Sequence, residues 1–199
     1  MSVVAITVLQ EYLRIDLTDT SQNSLLGQLQ VDAVGMIEGF LGRQLEQTTT
    51  HEQFDIDDEQ DTIWLKNFPI QSIAALTNDG SLVANADYKV YSDEGMIKLA
   101  DRISLLTRRG ELTPFFDEGK KSVEITYVGG FTTVPADIQS VIKRTVARMF
   151  NTGDKQGFKS EDIGEYEYTL ADGGKDHGFS QNDLAVLQKY KPVLFLEGY

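Results

Sequence analysis

Residues 22–42 read Gln22-Asn23-Ser24-Leu25-Leu26-Gly27-Gln28-Leu29-Gln30-Val31-Asp32-Ala33-Val34-Gly35-Met36-Ile37-Glu38-Gly39-Phe40-Leu41-Gly42. Leu25, Leu26, Leu29, Ala33, Met36, Ile37, Phe40 and Leu41 recur on one side of a helix turning once every ~3.6 residues. Gly42 stands where a helix end calls for a left-handed residue. A long helix over about residues 22–41 is therefore predicted. The same stretch carries Gly27, Val31, Gly35 and Gly39 at regular helical spacing. Glycine inside a helix costs about 1 kcal/mol relative to alanine, so the pattern needs a reason. Close approach of another helix of the same subunit is one, and of a neighbouring subunit another. Either way these four residues form a contact surface, and they are the first candidate subunit interface.

Working outward, Thr7 with Gln10 three positions on reads as a capping box opening a short helix through Leu9, Tyr12 and Leu13. A polar loop, 16–21, separates it from the long helix. Beyond the long helix the period changes to two. Residues 48–56 are rich in β-formers, and Thr62-Ile63-Trp64-Leu65 is a short apolar run after the acidic turn 57–61. Asn78-Asp79-Gly80 and Asp93-Glu94-Gly95 are hairpin signals between strand-like runs. Val123-Glu124-Ile125-Thr126-Tyr127-Val128 alternates strictly. A small antiparallel sheet, inserted between helices, is the expected result.

Pro135 suits the first turn of a helix running to about Phe150. Its apolar stripe is Ile138, Val141, Ile142, Thr145, Met149 and Phe150, with Lys143, Arg144 and Arg148 on the remaining surface as a second candidate interface. A strand-like run covers 164–170. Ser180 with Asp183 caps a last helix through Leu184, Leu187 and Tyr190, which Pro192 ends. Val193, Leu194, Phe195 and Leu196 make an apolar tail expected to be buried, as a candidate docking segment for a partner. The fold class is α+β, a helical bundle carrying an inserted small antiparallel β-sheet. The expected organisation is a single domain, 1–199, with a helical core at 7–45 and 135–150, a β-rich insert at 48–128 and a C-terminal assembly segment at 160–199.

Eighteen basic against 31 acidic residues leave a net charge of −13. That opposes a broad phosphate-neutralising footprint on nucleic acid, though not a negatively lined channel through which DNA slides. Cysteine is absent, which removes thiol nucleophiles and Cys-ligated zinc. Met1-Ser2-Val3-Val4-Ala5 lacks a basic segment ahead of a long apolar run, so cytoplasmic synthesis is expected, with no membrane partner. Chemistry is hard to place. His51 lacks the second histidine of a zinc helix, and His177 lies in a polar loop with no nucleophile beside it. Glu118-Gly119-Lys120-Lys121-Ser122 departs from a phosphate loop at both ends. Asp55, Asp57, Asp58, Glu59 and Asp61 lack the glycine and distal glutamate of a calcium loop. No catalytic residue, cofactor or metal site is expected.

Three segments read together resemble a known family. They are Leu9-Gln10-Glu11-Tyr12-Leu13-Arg14-Ile15-Asp16 with the long helix and its end at Gly42-Arg43-Gln44-Leu45; Val123 to Phe131 followed by Val134-Pro135-Ala136-Asp137-Ile138; and Ser160-Glu161-Asp162-Ile163-Gly164-Glu165-Tyr166-Glu167-Tyr168. In order and spacing they resemble the head-tail connector (adaptor) proteins of tailed bacteriophages and prophages. The resemblance implies a structural protein of the virion neck, made in the host bacterial cytoplasm. It also implies a dodecameric ring of copies of itself, docked on the portal protein and meeting tail or stopper proteins. DNA would pass through the lumen without sequence-specific binding. Two other readings stay open: a tail-completion or terminator ring, and a β-sheet module binding carbohydrate or protein through Trp64, Tyr88 and Tyr91.

Overall fold

The computed structural model describes residues 3–100, 105–106, 112–152, 160–163, 166–169 and 179–192. In chain order the elements are α1 (Ile6–Leu13), α2 (Asn23–Leu41), β1 (Thr48–Ile56), β2 (Thr62–Trp64), β3 (Ile70–Asn78), β4 (Ser81–Leu82), β5 (Tyr88–Tyr91), β6 (Met96–Leu99), β7 (Leu105–Leu106), β8 (Leu112–Thr113), β9 (Gly119–Gly129), α3 (Ala136–Thr152), β10 (Ser160–Ile163), β11 (Tyr166–Thr169) and α4 (Gln181–Gln188). They divide into two compact units. One holds Met1–Gly42 and Val134–Lys191, and the other holds Arg43–Thr133. The β segment expected as an insert at 48–128 gathers enough apolar surface to form a core cluster of its own.

In the helical unit, α2 ends as its sequence predicts: Gly42 takes φ 69° and its N–H donates to the Glu38 carbonyl at 2.8 Å. The face that α2 buries is narrower than the apolar residues alone imply. Leu26, Ala33 and Ile37 are fully covered, whereas Leu25 is exposed and Leu29, Met36 and Phe40 are half-buried. Gln30 takes an inner position, its Nε2 donating to the Val4 carbonyl at 2.7 Å, so the buried amide is satisfied. Gln10 does the same for α1, donating to the Asp19 carbonyl at 2.8 Å and to Asn23 Oδ1 at 3.0 Å. This corrects the capping-box expectation. Helix α1 starts after Ala5 without a side-chain cap, and Gln10 holds the 16–21 loop against the start of α2.

Helix α3 buries Ile138, Val141, Ile142, Thr145 and Val146. Val146 was missing from the predicted stripe, and Met149 and Phe150 are only half-buried. Each fully buried aliphatic side chain contributes about 1.5–3 kcal/mol. The run at 164–170 yields a pair rather than a single strand, with Ser160 opposite Thr169 and Ile163 opposite Tyr166. Helix α4 opens with the predicted reciprocal cap, Asp183 N to Ser180 Oγ and Ser180 N to Asp183 Oδ2, each at 3.2 Å.

In the β unit, a four-stranded antiparallel sheet runs β1-β9-β3-β4 and a three-stranded one runs β2-β6-β5. The strict alternation of 123–128 puts Val123, Ile125 and Tyr127 of the central strand β9 inward. They meet Ile56, Leu76 and Ile70 of their own sheet, together with Ile63, Tyr88, Ile97 and Leu99 of the other, in one core. Two sheets sharing a core replace the single small sheet expected. The turn Asn78-Asp79-Gly80 forms as predicted, Asp79 and Gly80 both having positive φ. At the far end of β9, a side chain on Gly129 would run into the Asn67 carbonyl and the Tyr127 ring. Only glycine lets the 65–69 segment approach there.

Candidate interaction surfaces

Among the described residues, no group of three or more His, Asp or Glu is placed to hold a metal ion. His51 is exposed on β1, its Nδ1 3.2 Å from Thr126 Oγ1 across the strands. His177 lies outside the described residues. Lys121 is part of β9, with its N–H on Asp55 Oδ1 at 2.7 Å, so the 118–122 segment is a strand start and cradles nothing. Asp61 pairs with Lys98 at 3.3 Å and belongs to a sheet contact. Tyr88 is in the core with its hydroxyl on Asn85, while Tyr91 points to the opposite, exposed face of β5. Tyr88 therefore belongs to the core rather than to a shared ring surface, while Trp64 and Tyr91 stand opposite the same residue, Met96, on either side of β6.

The α2 face with the glycines is open. A Cβ on Gly27, Gly35 or Gly39 would meet nothing within 4 Å, and Val31 between them is 70% exposed. Among the described residues, packing within the subunit does not account for these small residues. The basic residues of α3 are placed differently from one another. Lys143 Nζ sits 6.0 Å from the Tyr12 ring centroid. Arg144 and Arg148 both reach Asp183 at the start of α4, at 2.6 Å and 3.2 Å. Expected as free surface charge, the two guanidiniums are instead engaged within the helical unit. Burial opposes the charge on Asp183, but hydrogen bonds from Ser180 and Arg144 prevail and hold its carboxyl below the ordinary value. Burial, with Asp137 accepting its hydroxyl proton at 2.8 Å, pushes Tyr190 up to about 12. Val193, Leu194, Phe195 and Leu196 lie outside the described residues.

Sequence reasoning missed the polar cluster of the β unit. Tyr127 donates to Glu52 and accepts the Asn67 N–H at 2.9 Å. Burial, then the Glu52 carboxylate, raises the Tyr127 phenol. Arg43 lies beside these groups, stacked between the rings of Phe68 and Phe131. The local pattern reads Tyr127 and Glu52 as ordinary alternating strand residues. Nothing in it signals that they, Arg43 and Asn67 meet.

The profile of the head completion protein family matches residues 3–150. The chain belongs to the head completion protein family. That is in keeping with the connector resemblance in the sequence, and it makes this a structural virion protein rather than an enzyme. No curated protein matches it. Among solved structures, this head completion protein is similar to a chain in the neck of an empty gene transfer agent (GTA) particle computed with C6 symmetry, with 15% identity and a TM-score of 0.60, covering 98% of this chain and 93% of that one. It is also similar to a chain in the neck of a native GTA particle computed with C12 symmetry, with 17% identity and a TM-score of 0.55, covering 100% and 97%. At these identities the likeness is one of fold. Among the described residues, no helix is long and apolar enough to cross a membrane.

Proposed function

We propose that this head completion protein forms a ring in the virion neck, stacked between portal and tail, through which DNA passes. The observation that carries the reading is a fold shared over nearly its whole length with a chain in a GTA neck computed with C12 symmetry. A cyclic ring joins each copy to the next through two different surfaces. The open α2 face with Gly27, Val31, Gly35 and Gly39 suits one of them, because the three glycines let a neighbouring backbone approach around the exposed Val31. The α3 surface with Lys143 suits the other; Arg144 and Arg148, each 41% exposed and tied to Asp183, frame it. Val193, Leu194, Phe195 and Leu196 are assigned to docking on the portal or the adjoining ring. A net charge of −13 suits a lumen that must not retain DNA.

The test uses portal-bearing, tail-less heads incubated with the full-length protein. Cryo-electron microscopy is expected to show a closed ring of copies seated on the portal. Binding as isolated monomers, or no binding with tails still attaching normally, would contradict the proposal.

A further inference from the structure

Among the described residues, two sheet edges of this chain have no strand of the same chain beside them. The first belongs to β1, which ends the order β1-β9-β3-β4 and so pairs on one side alone. That pairing is regular from Thr48, opposite Gly129, to Phe54, opposite Val123. Every second residue of an antiparallel edge strand points its N–H and C=O away from its partner. Such a row is a template for another strand, and proteins blunt it with short strands, lysine or proline. The remaining edges of the two large sheets follow that rule: β4 has two residues, β2 three, and β5 four with Lys89 among them. The edge at β1 does not. It runs nine residues, Thr48-Thr49-Thr50-His51-Glu52-Gln53-Phe54-Asp55-Ile56, with neither lysine nor proline. Thr49, His51 and Gln53 are exposed along it.

The second is the hairpin of β10 and β11. Ser160 to Ile163 pair with Thr169 to Tyr166, and the two strands form a sheet by themselves. A two-stranded hairpin standing alone is marginal in water, because both outer edges stay unpaired and no third strand supports it. Four residues in each strand fit within the regular stretch of β1. The pair β7 and β8, by contrast, matches over two residues only.

We infer that the β10–β11 hairpin of one copy adds to the free edge of β1 in the next, continuing the four-stranded sheet across the subunit boundary. Main-chain hydrogen bonds hold an added strand, so the contact needs no pocket and no charge pair. The symmetry of the assembly selects the hairpin over a second β1. Two β1 edges would pair about a twofold axis and close a dimer, whereas an edge and a hairpin are different surfaces that propagate head to tail around a ring. The inference rests on the proposed ring and names one of its contacts.

Amide hydrogen exchange read by mass spectrometry compares the free full-length chain with the same chain assembled on portal-bearing heads. Peptides covering 48–56 and 160–169 are both expected to exchange at least about tenfold more slowly after assembly, as amides do on entering a ladder. A double variant, Thr49→Lys with Gln53→Lys, puts charge at two exposed positions of the edge. Its free chain is expected to melt like wild type, and its assembly to weaken by about tenfold, the net worth of one or two hydrogen bonds. Should that variant fail to fold, the exchange comparison decides without it. Slowing of one stretch without the other would give that edge to a different neck protein and overturn the second copy. Both stretches already slow in the free chain would mean that the sheet closes within one copy, which overturns it as well. A ring in which neither stretch slows, or a folded double variant that assembles like wild type, sinks this inference and leaves the ring standing. Wild type that forms no ring sinks both.

Discussion

In the helical unit the buried carboxylate of Asp183 meets two guanidiniums and the hydroxyl of Ser180, whereas in the β unit the buried guanidinium of Arg43 meets two rings and, among the described residues, no hydrogen-bond acceptor. Both groups are almost entirely covered. The first is completed by residues that α3 and α4 supply from the same chain, so its role ends with holding those helices together. The second is held by stacking between two ring faces of its own unit.

The largest effect expected within the subunit comes from Asp183→Ala, which strips the cap from α4 and leaves Arg144 and Arg148 facing each other. Because both arginines are partly exposed and can rehydrate, the loss is put at about 3 kcal/mol, or a fall in melting temperature of roughly 6–12 °C. The same group sets a pH dependence. Its folded pKa is depressed, so its contribution is fully present above the unfolded value near 4 and disappears as pH falls through the folded one. Wild-type stability should therefore drop below about pH 4 more steeply than that of Asp183→Ala, as urea midpoints across pH would show. Equal slopes would mean the carboxylate is not held by its arginines.

A smaller loss, about 2 kcal/mol, is expected for Tyr127→Phe, which deprives Glu52 and the Asn67 N–H of their shared partner in the β unit. Chemical denaturation measures it. A neutral result would mean that water replaces the hydroxyl and that the cluster is open.

The smallest effect has the opposite sign. Gly35→Ala adds a methyl to open space on α2, so the isolated chain should gain about 0.5–1 kcal/mol. On portal-bearing heads the same variant should assemble less well, if that face receives a neighbour's backbone. Stabilisation with undiminished assembly would remove α2 from the contact surfaces.

Much of this was legible in the sequence because it depends on neighbours along the chain. The period of 22–41, its glycine terminus, the Asn-Asp-Gly turn, the alternation of 123–128 and the Ser180–Asp183 cap are all local, and all formed. The connector resemblance rested in part on two of these segments, the long helix and the 123–128 strand, and the family match over residues 3–150 covers both. Where the reading failed, a polar residue had been judged by its type. Gln10 reads as a capping residue and Gln30 as a polar interruption of the apolar stripe, yet each is buried because acceptors nine or more residues away satisfy its amide. Arg144 and Arg148 stand on the partly exposed surface as read, but the sequence pattern carried no sign that both would meet Asp183.

What the amino-acid order determined by itself is therefore the set of elements, their ends, and the absence of any cysteine chemistry. Tertiary structure alone decided that the strands make two sheets around one core, that Asp183 is the counter-ion of two arginines, and that Arg43 stacks between two rings. The physical reason is range. Helix periodicity and turn conformation act over a few residues, while burial, pairing and desolvation depend on atoms brought together from distant parts of the chain.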